Sequence, residues 1–263
     1  MKKLTDTHCH LYFDAFNDDQ DDVLTQARDA GVDRMLVPGI DLLTSQDALN
    51  LAEEKPGVFA AVGLHPNNVL NWDDDTQEKL ELLGSNPKVV AIGEIGLDYY
   101  WNRTPQDLQR EKFRAQLALS TRLNLPVVIH TRNSSEQNRQ CIQDMITILM
   151  EYDTDVQGVL HSFSGNLREL RLALDLGFYI GISGPVTFKN AHGLRRIVAA
   201  IPQDRLLIET DSPFLTPHPH RGKRNQPSYV SFIAAKIAEI LDRTTSEIAE
   251  ITTANARNLF RWS

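Results

Sequence analysis

The segment TDTHCHL, residues 5–11, closes a short β-rich run and carries two imidazoles one residue apart. In an extended chain, side chains alternate between faces, so His8 and His10 point one way and Cys9 the other. The same segment separates two α/β architectures. An open doubly wound sheet would want a glycine-rich phosphate loop of the GxGxxG kind after its first strand, and DTHCHL contains no glycine.

Outward from this segment the chain keeps one period. Strand signals appear at KLTDTH (3–8), RMLVPG (34–39), VFAAVGLH (58–65) and VVAIGEIGL (89–97). They continue at VVIHTR (127–132), GVLHSF (158–163), FYIGISG (178–184) and RLLIETD (205–211). Several are nearly unbroken apolar runs, as expected of parallel strands covered on both faces. Between them lie amphipathic stretches such as DVLTQARDAG and REKFRAQLALSTRLN, with apolar residues three and four apart and Gly or Pro often closing the element. Two more helices end the chain, the first opening at Pro227-Ser228 and the last at Thr245-Ser246. Eight strand–helix units within 263 residues, with no linker, predict one domain over 1–263. The expected fold is α/β, a single (β/α)₈ TIM barrel, distorted, with an extra C-terminal helix.

Composition is that of an ordinary globular chain, 41% hydrophobic and 24% charged. No apolar run is long enough to span a bilayer, and the two lysines at the start precede no apolar signal core. Two distant cysteines, Cys9 and Cys141, fit a reduced chain, so the cytoplasm is the expected compartment. No obligate protein partner is evident. The net charge of −8 argues against gripping nucleic acid by bulk electrostatics. Bound divalent cations and a local basic loop could still supply positive potential where a polyanion needs it.

In a barrel of this kind the C-terminal strand tips form the active face. His8 and His10 follow the first strand, His65 the third, His130 the fifth and His161 the sixth; Glu94 lies in the fourth strand and Asp211 closes the eighth. A single histidine near a strand end is ordinarily a hydrogen-bonded structural residue. Glu94 within an apolar strand is a stronger signal, because an unpaired buried carboxylate is costly. Neutral imidazoles and carboxylates suit Zn²⁺, Mn²⁺ or Mg²⁺. Four histidines with Glu94 and Asp211 exceed one tetrahedral centre but suffice for two ions with Glu94 bridging.

The ordered set DTHCHL, GLHP, GEIGLDYY, PVVIHTR, VLHSFSG, GFYIGISG, LLIETDSP and HRGKRNQP resembles the TatD family of metal-dependent deoxyribonucleases, within the amidohydrolase-like barrels. The likeness runs from about Asp6 to Phe260. It implies a two-metal centre and hydrolysis of nucleic acid, in several members 3′→5′ removal of nucleotides from DNA. Carried onto this chain, the metal ligands implied are His8, His10, Glu94, His130, His161 and Asp211. The first two histidines would serve one ion with Asp211 nearby, His130 and His161 the second, and Glu94 both. One departure is visible: HTRNS at 130–134 places Asn133 where many members have an acid, a position outside the ligand set where Asn can still cap the following helix.

The expected reaction is phosphodiester hydrolysis by water held at two divalent ions, with Glu94 and Asp211 as the catalytic carboxylates and Asp211 a candidate base. His65 is expected to contact the scissile phosphate. The long segment PFLTPHPHRGKRNQP, residues 213–227, follows the eighth strand and holds Arg221, Lys223 and Arg224, a candidate clamp on substrate phosphate. Tyr99, Tyr100 and Trp101 are candidates to stack on a base or to pack against the rim. Two alternatives stand beside this reading. One is a two-metal amide or ester hydrolase acting on a small molecule or an aminoacyl-nucleic-acid ester. The other is a non-enzymatic metal-dependent binding protein. Related barrels often bridge their metals with a modified lysine at the end of strand four, and Glu94 in that place favours the nuclease branch.

Overall fold

The computed structural model describes residues 3–101, 103–135, 137–152 and 156–262. Its eight strands lie in chain order within one sheet. They are β1 (Leu4–Asp6), β2 (Val32–Pro38), β3 (Val58–Val62), β4 (Val89–Asp98), β5 (Val127–Arg132), β6 (Gly158–Leu160), β7 (Tyr179–Ile182) and β8 (Leu206–Ile208). Every neighbouring pair is parallel. A parallel pair requires a crossover, and helices provide each one. These are α1 (Gln20–Asp29), α2 (Leu42–Glu54), α3 (Thr76–Gly84), α4 (Gln106–Leu123), α5 (Gln140–Met150), α6 (Leu167–Asp175) and α7 (His192–Ala200), with α8 (Val230–Leu241) and α9 (Thr245–Phe260) after β8. The expected TIM barrel with its extra C-terminal helix is therefore the observed fold. Among the described residues, no helix is long and apolar enough to cross a membrane.

Closure is where the barrel is distorted. Beyond the ends of β1 and β8, Thr7 N–H donates to Ile208 O (3.2 Å), Asp211 N–H to His8 O (2.8 Å) and His10 N–H to Ser212 O (2.7 Å). Asp6, fully buried, accepts from Thr210 N (2.8 Å) and Thr210 Oγ1 (2.5 Å) and ties the same two tips together. Burial pushes its carboxyl up to about 8 against the pull of those hydrogen bonds. The seam of the barrel thus runs through the segment that carries His8 and His10.

Alternation sorts the side chains into layers. Leu36, Phe59, Val90, Val128, Val159 and Leu207 form an inner cluster, which Leu259, Phe260 and Trp262 join from the end of α9. Phe59 and Trp262 lie 5.0 Å apart, ring centre to ring centre, so the last helix plugs the barrel at the N-terminal end of β3. Two residues after Val128, Val159 and Leu207, with the same facing, stand His130, His161 and Glu209; Asp211 stands two further on. One strand period therefore gives an apolar floor and a polar mouth. Cys9 faces the other way, into the cluster between strands and helices, and both cysteines are buried and unpaired.

Two details differ from the sequence reading. The last helix opens at Thr245 as expected, but its cap is the preceding Thr244, whose side chain accepts from Glu247 N while Glu247 reaches back to Thr244. The segment opening at Pro227-Ser228 starts as one short 3₁₀ turn, Pro227–Tyr229, before α8. Asn133 does serve the following helix, its Oδ1 accepting from Ile142 N (3.3 Å) in the first turn of α5.

Candidate metal centre

The six residues implied as ligands meet at the C-terminal mouth. His8 Nε2 lies 3.1 Å from His10 Nε2. Glu94 Oε2 is 3.4 Å from the first and 3.7 Å from the second; Asp211 Oδ1 is 3.7 and 3.5 Å from them. The other Glu94 oxygen, Oε1, is 2.9 Å from His130 Nδ1. One buried carboxylate thus faces two separate groups of imidazoles, the arrangement a bridging ligand requires. His161 Nε2 is 3.8 Å from Asp211 Oδ1, and its ring lies 3.6 Å from that of His8 but 6.4 Å from that of His130. His161 therefore sits with the first imidazole pair, whereas His130 keeps company with His65 and Asp98.

Whether these residues fit a cation can be judged from the proton positions. His10 Nδ1 donates to Pro38 O (3.2 Å), which leaves a lone pair on Nε2. His8 Nδ1 is buried with no hydrogen-bond partner, so the ring's outward chemistry goes through Nε2. Around that atom stand a second imidazole nitrogen and two carboxylate oxygens, with the His161 ring stacked beside it. A buried cluster of imidazole nitrogens and carboxylate oxygens facing one another is what a divalent ion satisfies, and the N/O donor set suits Zn²⁺, Mn²⁺ or Mg²⁺. Burial opposes charge on Glu94, but His8 and His130 overcome it and hold the carboxyl well below its ordinary range. Asp211 has a left-handed backbone (φ 58°), a conformation Asp tolerates better than most residues, and this turns its carboxylate toward the imidazoles.

Two acids that the sequence reading passed over orient the ligands from behind. Glu209 is fully buried; its Oε1 lies 2.8 Å from His161 Nδ1 and accepts from Ser162 N (2.5 Å). The imidazole approach is close but poorly aligned as a hydrogen bond, since His161 Nδ1 has no partner of good geometry. Burial opposes charge on His161, and Glu209 and Asp211 outweigh it, raising the ring to about 10. Asp98 plays the matching part for His130, accepting from its Nε2 at 3.2 Å. Burial again opposes the charge, and Asp98 and Glu94 together raise His130 to about 9. Glu209→Gln keeps the volume but turns one acceptor into a donor; metal affinity or turnover should fall by roughly 10- to 100-fold. Titration of bound metal in the variant checks this, and parental affinity together with parental turnover would refute the orienting role.

His65 completes the mouth. Its Nδ1 accepts from Asn67 N (3.1 Å), so Nε2 carries the proton and points toward Glu94 Oε1 at 3.9 Å. Burial and the neighbouring His130 lower its pKa to about 3, which keeps the ring a neutral donor. The basic segment after β8 divides. Arg224 forks onto Asp19 (2.8 and 2.6 Å), donates to Ala15 O and lies over Phe16, so its donors serve the fold. Arg221, over Phe188, and Lys223 are exposed. Tyr99 is buried with its hydroxyl between Asp144 (2.7 Å) and Arg110 (2.8 Å), which makes it a packing residue; Tyr100 and Trp101 stay exposed. A cleft of about 930 Å³ opens at the opposite, N-terminal end of the strands, beside Arg34 and Lys88, and holds none of these groups.

Comparison with known proteins identifies the family. The family model described as "TatD related DNase" matches residues 5–261. The "Uncharacterized metal-dependent hydrolase YabD" of Bacillus subtilis is 45% identical over 98% of this chain and 99% of its own length. The "3'-5' ssDNA/RNA exonuclease TatD" of Erwinia tasmaniensis is 38% identical over 93% of this chain and 95% of its own. Among solved structures, the TatD homolog YJJV of Escherichia coli K12 superposes with a TM-score of 0.91 at 32% identity, covering 99% of this chain and 98% of that one. A match over nearly the whole chain, joined to a mouth of imidazoles and carboxylates, makes this protein a member of the TatD-related DNase family and a metal-dependent hydrolase.

Proposed function

We propose that this hydrolase is a deoxyribonuclease that cleaves DNA phosphodiester bonds, removing nucleotides 3′→5′, and that it works in the cytoplasm. The observation that carries the reading is the split of Glu94, with Oε2 toward His8 and His10 and Oε1 toward His130. His8, His10, Glu94, His130, His161 and Asp211 would hold two divalent ions. When bound, such ions acidify a coordinated water, polarise the phosphoryl group and stabilise the leaving oxygen. Asp211, 3.5–3.8 Å from three imidazole nitrogens, would take the proton of the attacking water. His65, a neutral Nε2–H donor, supports the phosphate oxygen that gains charge as the P–O bond breaks. Asp98 and Glu209 keep His130 and His161 aimed. The relatives named as ssDNA/RNA exonucleases support a nucleic-acid substrate.

The test is turnover by protein stripped of metal and reloaded separately with Mg²⁺, Mn²⁺ and Zn²⁺. End-labelled single-stranded DNA is offered beside carboxyl-ester and amide substrates. Stepwise shortening of the DNA from its 3′ end is the expected result; hydrolysis of esters or amides alone would overturn it. With Arg224 committed to Asp19, phosphate binding in the 213–227 segment falls to Arg221 and Lys223. The double variant Arg221→Ala/Lys223→Ala should lower the slope of log K against log salt by about one unit for each cation that pairs with a phosphate in the parent. An unchanged slope would remove this segment from the substrate path.

A further inference from the structure

The exposed rings just past β4 have no part in the chemistry above, and their surroundings are unusual for an acidic protein. Tyr100 is 49% exposed and Trp101 43%, edge to face with ring centres 5.0 Å apart. The Arg132 guanidinium lies 3.9 Å over the Tyr100 ring and 5.7 Å from that of Trp101, and Arg103 lies 5.0 Å from the Trp101 ring. Among the described residues, neither arginine has a carboxylate within ion-pair distance, although acids outnumber bases by 35 to 27 in the chain. Among the described residues, these two guanidinium groups are thus held against aromatic faces with no acceptor on their N–H edges.

This patch is fastened to the metal centre through one side chain. Asp98 Oδ1 accepts from Tyr100 N (2.9 Å) and Trp101 N (3.1 Å), while Oδ2 accepts from His130 Nε2 (3.2 Å) and Asn67 Nδ2 (3.1 Å). The carboxylate that aims His130 also fixes the turn that presents the rings. A ligand lying on the rings would therefore be held in a set position relative to the reacting atoms. Exposed aromatic rings and planar guanidinium groups stack on any nucleobase, and free arginine edges pair with phosphate.

We infer that Tyr100, Trp101, Arg132 and Arg103 form a stacking platform for the bases of a single-stranded nucleic acid whose phosphodiester lies at the metal centre. The inference rests on the phosphodiesterase reading for its substrate and adds where that substrate is gripped. A paired duplex keeps its base faces covered, so the platform selects unpaired strand. Loss of one stacked base corresponds to about a tenfold weaker complex.

Binding can be read apart from catalysis, by fluorescence anisotropy of a labelled 12-residue oligothymidylate in EDTA. A 12-residue abasic strand of the same charge serves as reference. Trp101→Ala should weaken the oligothymidylate about tenfold and shrink its advantage over the abasic strand, with Trp101→Phe recovering most of the loss. Arg132→Lys, which keeps the charge but not the plane, should fall between the parent and Arg132→Ala. Parental affinity in the Tyr100→Ala/Trp101→Ala double variant would overturn the platform, and so would equal losses on the two strands, since those report charge alone. If the metal-loaded parent hydrolyses no phosphodiester but the aromatic variants still lose oligothymidylate selectively, the proposed reaction falls and the platform stands.

Discussion

Glu94→Gln should reduce hydrolysis by about a thousandfold or more while the barrel stays folded. The side chain is buried at the centre of the mouth, and its two oxygens address different imidazoles, Oε2 those of His8 and His10 and Oε1 that of His130. Glutamine preserves the volume but offers one neutral acceptor and one donor, so it cannot present negative charge to both sides. A divalent ion contributes several kcal/mol of transition-state stabilisation; losing roughly 4 kcal/mol corresponds to about a thousandfold in rate. The change leaves the apolar layer of Val128, Val159 and Leu207 below untouched, so the fold should survive. Three measurements separate the causes: metal content by elemental analysis, turnover in saturating metal, and the thermal melt. Parental turnover in the variant would end the bridging role of Glu94. A collapsed melt would mean that the carboxylate served the fold first.

The barrel was legible because its signal is repeated. Eight apolar runs separated by amphipathic ones admit few topologies, and the parallel order β1 to β8 follows once each run is paired with the next. The convergence of the six candidate ligands was legible for a related reason. Strand alternation carries the inward face of Val128 and Val159 to His130 and His161, so position alone identifies the aim of each ring. Glu209 and Asp98 were not legible. An acid near a strand tip reads the same whether it faces solvent or supports a histidine, and only the packed fold brings Glu209 against His161, 48 positions away. Arg224 fails for the same reason: its partner Asp19 is 205 residues distant, so a structural fork looked like one more phosphate ligand. Tyr99, Tyr100 and Trp101 are adjacent and similar in sequence, yet the buried hydroxyl bonds of Tyr99 with Asp144 and Arg110 separate it from the exposed pair.

Gly96→Ala should damage stability and the centre together, because this glycine is required twice over. Its φ is +133°, a backbone conformation that residues with a Cβ rarely adopt, and a Cβ there would stand 2.1 Å from His130 O. The clash is with backbone and cannot be relieved by rotating a side chain. Gly96 pairs with His130 across the β4–β5 ladder, so relief must move one of these strands. Backbone strain of about 1–3 kcal/mol and overpacking of similar size give a loss of roughly 4 kcal/mol, on the order of a 10 °C fall in Tm for a chain of this length. His130 would shift with its strand, away from Glu94 Oε1 and Asp98 Oδ2, which it meets at 2.9 and 3.2 Å. A displacement near 1 Å is enough to cost about a hundredfold in rate. Gly177→Ala is the control that divides the two causes, since Gly177 also has a positive φ (+82°) but no atom within 4 Å of a built Cβ. It should lose only about 1 kcal/mol and keep its rate. Comparable melts for the two variants would mean that the β4–β5 ladder yields at Gly96, and that the close approach to His130 does not set the geometry of the centre.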